Sequence, residues 1–147
     1  MDLRKFFLGR GEFKSPIEII EAVRESPNFD PGKEDTADAE ALLIFQTSKQ
    51  QTWLVATTRR LYCVLDDLRR SFRPVRWSLS AEKLTRSGVL TAEISARPNT
   101  ERTGLLDIGE RRSWLYSKKL FTNKSIEGEV KDLIRRQMLP KTRSIEG

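Results

Sequence analysis

Apolar and β-branched residues are densest between residues 53 and 67, where a single polar Thr-Thr-Arg-Arg corner interrupts them. Val, Trp, Tyr, Thr and Leu at this density are typical of β-strands, and a short polar corner between two such runs is typical of a hairpin turn. The pattern predicts one β-hairpin with strands at 52–57 and 60–66. Its turn is centred near Thr58 and Arg59.

Further strands are predicted on both sides of this hairpin. Residues 75–80 give the clearest signal, because Val75, Trp77 and Leu79 alternate with polar residues, as expected for a strand with one buried face. Four more segments have strand-like composition between turn-like boundaries: 40–47, 89–96, 103–108 and 113–121. Seven strands are therefore expected, with residues 97–100 as the turn between the fifth and the sixth.

One amphipathic helix is predicted after the strands. Its apolar residues recur at helical spacing: Ile126, Val130, Leu133, Ile134 and Met138. Ser125 is the expected N-terminal cap, Arg135 and Arg136 lie near the end in the sense that the helix dipole favours, and Pro140 stops the helix. The apolar stripe is predicted to cover the core.

A second, short helix is predicted near the N-terminus. Ser15, Pro16 and Glu18 form a capping-box pattern, in which the serine caps the helix and the glutamate returns a bond. An apolar stripe accompanies it at helical spacing: Ile17, Ile20 and Val23. The helix either docks onto a partner or covers an edge or end of the domain, and the general preference for packing favours the second interpretation.

Length and composition indicate one compact domain with an extension. The chain has 147 residues, enough for one core of ordinary size. Its longest apolar run, residues 41–45, is far shorter than the roughly 20 residues that a membrane span needs, and no export signal is recognised. The single cysteine, Cys63, suits a reducing compartment and is expected to be a small apolar strand residue. We expect a cytoplasmic location, which includes peripheral attachment to the inner face of the membrane.

The residue types that the chain lacks argue against several classes of chemistry. It contains no histidine, which excludes histidine-based triads and, with only one cysteine, leaves no zinc site of the common nitrogen and sulfur type. No glycine run resembles a phosphate-binding loop. The adjacent carboxylates Asp66 and Asp67 are interpreted as a polar strand end, because neighbouring strand residues face opposite ways. We therefore expect a protein that is not an enzyme and uses no metal or other cofactor.

Basic charge is concentrated in the C-terminal half of the chain. Residues 68–147 carry eighteen basic and nine acidic residues, whereas the whole chain has a net charge of +6. Residues 15–35 are acidic, with six acidic and two basic residues. A charge localised in this way indicates more about partners than the total does.

The order of the predicted elements resembles that of the pleckstrin-homology-like family, in its bacterial PH-like and GRAM-like branch. Four segments carry the resemblance: W-L-V-A-T-T-R-R-L-Y-C-V, V-R-W-S-L-S, G-L-L-D-I-G-E-R-R-S-W-L-Y-S and S-I-E-G-E-V-K-D-L-I-R-R. The resemblance implies a mainly β fold with α, a seven-stranded bent antiparallel β-sandwich or barrel capped by the C-terminal α-helix. A short N-terminal helix precedes it. The expected divisions are an N-terminal extension with an acidic linker at 1–38, the PH-like domain at 39–139 and a flexible tail at 140–147.

The resemblance implies a binding module for anionic lipid headgroups or for protein segments. In such folds three turns gather at the end opposite the helix, and here those turns contain the candidate headgroup ligands Lys49, Arg69, Arg70, Arg73, Arg111 and Arg112. Arginine forks suit phosphate oxygens. The basic run that marks tight phosphoinositide binders in the first two strands is absent here, so a loose electrostatic contact is implied. The same loop residues also fit simple solvation.

Three functions compete at this point. The first is a non-catalytic PH-like adaptor that contacts an anionic membrane lipid surface or a protein partner. The alternative is a nucleic-acid-binding β-barrel that uses the basic C-terminal half. It ranks second because Trp77, Trp114 and Tyr116 lie in patterns that favour burial over base stacking. An enzyme ranks third, since no catalytic constellation can be named. The sequence does not set the oligomeric state.

Overall fold

The computed structural model describes residues 11–70, 75–110, 113–123 and 125–139, and for Glu110 and residues 113–117 it describes the backbone alone. Within these residues the chain is mainly β. It forms three antiparallel sheets with nine strands, a short N-terminal helix and a C-terminal helix. The expectation of a mainly β fold with one helix at each end is confirmed. The predicted tail at 140–147 lies outside the described residues.

The strands follow in chain order as β1 Glu40–Gln46, β2 Gln50–Ala56, β3 Arg60–Asp67, β4 Val75–Ser80, β5 Thr85–Arg86, β6 Val89–Leu90, β7 Glu93–Pro98, β8 Gly104–Glu110 and β9 Ser113–Thr122. The helices are α1 Pro16–Ala22, α2 Ala81–Leu84 and α3 Glu127–Met138. Strands β1 to β4 form one sheet and β7 to β9 another, each in sequential order, and β5 and β6 form a small hairpin between them. Sequential antiparallel neighbours need only short turns.

The hairpin predicted around Thr58 and Arg59 is confirmed as β2 and β3, paired in continuous register from Gln50 with Asp67 to Ala56 with Leu61. Both faces of these two strands are buried, which explains why their sequences are apolar almost without interruption. Cys63 lies within β3 and is fully buried, as predicted for a small apolar strand residue. Burial raises the pKa of its thiol from 9.0 to about 12, which disfavours the reactive thiolate.

The main core lies between the four-stranded sheet, the three-stranded sheet and α3. Leu54, Leu61 and Cys63 contribute from the first sheet, and Leu106 and Ile108 from the second. At one corner the sheets are joined by hydrogen bonds, because the Asn123 backbone N–H donates to the Ile44 carbonyl at 3.1 Å. The Asn123 side chain also bonds the backbone of Gln46 in both directions. The end of β9 is thereby fixed to the end of β1.

Helix α3 covers this core with the stripe that the sequence predicts. Ile126, Val130, Leu133 and Ile134 are buried, and Met138 packs against them half-buried. The predicted cap is wrong: the helix begins at Glu127, its N-cap is Ile126, and no side chain caps it. Burial of Ile126 in the core outweighs the capping preference of Ser125, whose contribution would be about 1 kcal/mol.

The N-terminal segment packs on the outer face of the four-stranded sheet and forms a second core. Ile19 and Val23 contact the outward residues of β2 and β3, among them Trp53, Tyr62 and Val64. The predicted capping box of Ser15 and Glu18 is confirmed, but the predicted stripe is rotated, since Ile17 is 75% exposed and Ile19 fully buried. The helix covers a sheet face rather than an edge or end of the domain.

Two strand predictions need correction. The predicted fifth strand, 89–96, is divided between β6 and β7, because the N–H groups of Thr91 and Ala92 both bond the Leu84 carbonyl and interrupt the run. Strand β7 then continues to Pro98, so the predicted turn at 97–100 begins later, at Asn99. The predicted count of seven strands therefore becomes nine among the described residues, because the fifth strand is divided in two and β5 is added.

The alternation predicted for 75–80 holds only in part. Trp77 and Leu79 face the main core, whereas Val75 faces the second core with the N-terminal segment. The cause is a register shift between Cys63 and Val64, which pair with Trp77 and Val75 respectively. A β-bulge inserts an extra residue and turns the following side chains to the other face.

Candidate functional site

The first two predicted basic turns lie side by side at one end of the four-stranded sheet. The Leu68 N–H donates to the Lys49 carbonyl at 2.9 Å, which joins the turn between β1 and β2 to the loop after β3. Lys49 is thus brought close to Arg69 and Arg70. The other candidates of the same predicted site, Arg73, Arg111 and Arg112, lie outside the described residues, so their convergence with Lys49 stays a prediction.

Asp67 partly neutralises this basic end. The Nε and Nη2 atoms of Arg69 donate to the two carboxylate oxygens of Asp67, each at 3.0 Å, and the Nε of Arg70 lies 4.0 Å from the same carboxylate. The Arg69 guanidinium holds the pKa of Asp67 at about 2. The Arg69 guanidinium is therefore already bound within the chain. Arg70, whose side chain is 77% exposed, is more available to an external anion. Sequence reasoning missed this role of Asp67.

A larger concave feature lies elsewhere, between the β5–β6 hairpin, strand β7 and α3. We call it the β7 groove; it has a volume of about 1180 Å³ and opens to solvent. Its lining includes Arg86, Val89, Leu90, Ser95 and Lys131. Sequence reasoning did not find this groove, because it depends on the division of the predicted fifth strand.

Strand β7 forms one wall of the groove and is the outer strand of its sheet. Its inner neighbour is β8, paired from Glu93 with Gly109 to Pro98 with Gly104, and no described strand pairs with its other edge. Half of the backbone N–H and C=O groups of such a strand point away from the sheet. Proline at the end of β7 is compatible with this edge position, since proline lacks the donor that an inner strand needs.

Apolar residues on the hairpin complete the groove. Val89 is 59% exposed, one of the largest exposures of an apolar side chain in the described chain, and Leu90 beside it is half-buried. The turn between β5 and β6 consists of Ser87 and Gly88, both with positive φ. Two left-handed residues are what a tight two-residue hairpin turn requires, so the position of Val89 is rigidly defined.

A buried carboxylate ties the N-terminal segment to the sheet. Glu34 is 6% exposed. One of its oxygens accepts from the Thr57 hydroxyl at 2.6 Å and from the Tyr62 hydroxyl at 2.8 Å, and the other accepts from the Asp30 N–H at 2.7 Å. Its bonds are made inside the protein, which indicates a structural role.

The pH dependence of stability should report on Tyr62. Burial first and Glu34 second raise the pKa of Tyr62 above its ordinary value of 10.0. The unfolded chain then loses this proton first as the pH rises, so the free energy of unfolding is expected to fall above pH 10. Urea titrations from pH 8 to 11 should show a steeper fall for the wild-type chain than for Tyr62→Phe. Equal slopes in the two chains would contradict the prediction.

Other chemistries find little support in the described chain. Its Asp, Glu and Cys side chains nowhere gather in threes at metal-binding distance. The large apolar side chains exposed on it are Ile17, Val89 and Phe121; the Phe121 ring packs against Phe45 with 6.2 Å between centroids, and Trp77 is half-buried. Trp114 and Tyr116 have side chains outside the described part. None of the described helices combines the length and the apolar character required to cross a membrane.

Comparison with protein-family models, with curated proteins and with solved structures finds no match for this chain.

Proposed function

We propose that this chain is a non-catalytic binding module of PH-like architecture, and that its partner is an extended segment of another protein that adds as a strand to β7. The observation that carries the proposal is that the outer edge of β7 opens into the β7 groove. A segment bound there gains main-chain hydrogen bonds from the strand and side-chain contacts from the groove, which is the basis of strand addition in peptide recognition.

The architecture supports the PH-like part of the proposal. A sheet of four sequential antiparallel strands is followed by a sheet of three, and the last helix fills the core between them. The β5–β6 hairpin and α2 are then additions at the crossing from the first sheet to the second. These additions also build one side of the groove, so they would belong to the binding surface.

The expected affinity is modest. Each added main-chain hydrogen bond contributes about 0.5–1.5 kcal/mol, while ordering each residue of the segment costs about 1–2 kcal/mol. Main-chain bonds alone therefore do not produce stable binding. Apolar contacts with Val89 and Leu90 must supply the surplus, and a weak, reversible complex in the micromolar range is the expected result.

An anionic membrane surface is the second candidate. The observation in its favour is the hydrogen bond that brings Lys49 and the loop of Arg69 and Arg70 together. Each basic residue near an anionic membrane contributes about 1 kcal/mol. Because Asp67 binds Arg69 and approaches Arg70, this end offers less attraction than the number of cations suggests. We therefore rank it below protein binding.

The test begins with a selection of peptides on the full chain from a random library of twelve-residue sequences. Binders should slow the hydrogen exchange of backbone amides in β7. Ser95→Pro and Ala96→Pro provide a matched pair, because neighbouring strand residues direct their N–H groups to opposite edges. Proline at the position whose N–H bonds β8 breaks a bond of the sheet and should lower the thermal midpoint more. The variant with the midpoint closer to that of the wild type is therefore the one that has lost an N–H on the outer edge of β7. It should bind the selected peptides about tenfold more weakly than the wild-type chain does.

Two results would contradict this function. One is a selection that recovers no peptide, and the other is a set of peptides that bind both proline variants as tightly as the wild type. Sedimentation with phosphatidylserine vesicles is the parallel measurement for the second candidate. Vesicle binding that Lys49→Glu/Arg70→Glu removes, in a chain that selects no peptide, would favour the membrane over the protein partner.

A further inference from the structure

We infer that the β7 groove selects extended segments that carry acidic side chains, and that Arg86 and Lys131 are the residues that bind them. This inference rests on the proposed strand addition to β7 and names the chemistry of its partner. It is a statement about specificity: main-chain bonds to β7 are the same for any sequence, so discrimination must come from the side chains that line the groove.

Two of the cations in the groove form no ion pair within the part of the chain that the structure describes. Arg86 of β5 is exposed and Lys131 of α3 is half-buried, and neither forms an ion pair with any described residue. Some other cations of the described chain are paired: Arg24 with Glu21, Arg69 with Asp67 and Arg136 with Glu40 are examples. The described lining carries three basic side chains, Lys83, Arg86 and Lys131, and two acidic ones, Glu82 and Glu93, so a formal charge of +1 remains beside the strand edge and is complementary to a carboxylate.

Both cations are held on rigid supports. Arg86 pairs across the β5–β6 hairpin with Val89, and the tight turn of Ser87 and Gly88 fixes that pairing. Lys131 is adjacent to the buried Val130 of α3, so its backbone position is set by the core. Little backbone ordering is then needed when a carboxylate binds, and only the two side chains lose freedom.

The geometry of an added strand limits where the acidic residues can lie. Residues of a strand that face the same way are two apart, about 7 Å along the chain. Acidic residues at alternate positions would face the cations, and the groove also contains the acidic side chains Glu82 and Glu93. These two carboxylates disfavour a segment that is acidic along its whole length. The expected pattern is one or two acidic residues among apolar and β-branched ones.

The peptides recovered by the selection test this inference through charge reversal. Arg86→Glu/Lys131→Glu changes the charge of the groove, and Arg59→Glu/Arg102→Glu changes two exposed cations outside it by the same amount. We expect the recovered peptides to be enriched in Asp and Glu and to lose about tenfold in affinity on the groove variant. On the control variant the loss should stay within about twofold. Peptides with Lys in place of the acidic residues should bind the groove variant more tightly than they bind the wild-type chain.

Failure of the inference is separable from failure of the proposed function. Peptides without acidic enrichment that still lose binding on the proline variant of β7 would overturn the role of Arg86 and Lys131 and leave strand addition intact. Equal losses on the groove and control variants would show a general attraction to a basic protein and would also overturn it. If circular dichroism shows that the charge-reversed variant is unfolded, Arg86→Gln/Lys131→Gln replaces it with the same expected order of affinities.

Discussion

Leu133→Asp is expected to leave the chain unfolded at 25 °C. The Leu133 side chain is buried between α3 and both sheets, with Val130 and Ile134 beside it. The substitution removes an apolar side chain, at a cost of about 2–5 kcal/mol, and adds the cost of a carboxylate without a partner in the core. Domains of this size are stable by about 5–15 kcal/mol, so the combined loss consumes much or all of the stability. Far-ultraviolet circular dichroism and a urea titration measure it.

The matched control lies on the same helix, two residues further along. Arg135→Asp introduces the same side chain at an exposed position and removes a surface ion pair with Asp132. Its cost should be below about 1.5 kcal/mol, because exposed pairs and the end of a helix dipole each contribute little. A Leu133→Asp chain as stable as the Arg135→Asp chain would show that α3 does not fill the core.

The second large effect is expected for Glu34→Ala. This change removes the acceptor that the hydroxyl groups of Thr57 and Tyr62 share and frees the N–H of Asp30, and it leaves Thr57 only a long bond to the Arg60 carbonyl at 3.4 Å. Each buried group that loses its partner costs about 1–3 kcal/mol. We expect the free energy of unfolding to fall by about 2–4 kcal/mol, measured by urea titration at pH 7.

A neighbouring change and a second substitution make this prediction specific. Lys33→Ala removes an exposed side chain next to Glu34 and should change stability by less than about 0.5 kcal/mol. Tyr62→Phe removes one of the two hydroxyl groups, so the double variant with Glu34→Ala should lose less than the sum of the two single losses. Strict additivity would mean that Glu34 and Tyr62 do not share a bond.

The elements that the sequence predicts well are those whose patterns are local. The β2–β3 hairpin is indicated by the high density of β-branched and aromatic residues on both sides of a polar corner. Helix α3 is indicated by apolar residues at helical spacing, and α1 is indicated by its capping box. In each case the residues that decide the structure lie within a few positions of one another.

The errors occur where a distant contact decides. The pattern at 75–80 contains no sign of its bulge, because Trp77 and Val75 of β4 pair with the consecutive residues Cys63 and Val64 of β3, and that pairing is made with another strand. The division of 89–96 depends on the Leu84 carbonyl, which accepts two N–H groups from beyond the hairpin. The spacing of apolar residues within 89–96 is the same whether this segment forms one strand or is divided into two.

The candidate site was predictable only as a set of residue types. The loop arginines are visible in the sequence, but the occupation of Arg69 by Asp67 requires the side-chain geometry. The β7 groove is invisible for a stronger reason: its lining joins residues 82–95, whose hairpin the pattern does not show, to Lys131 of α3, far along the chain. No local pattern reports on such a surface.

The double-sided burial of β2 and β3 has a consequence for shortened forms of the protein. A chain that starts at residue 39 would lose Ile19, Val23 and Phe29. It would then expose Trp53, Tyr62 and Val64 to water as one continuous apolar surface. Surfaces of that kind make proteins self-associate. The N-terminal segment therefore covers the second core, and the smallest soluble fragment should include it.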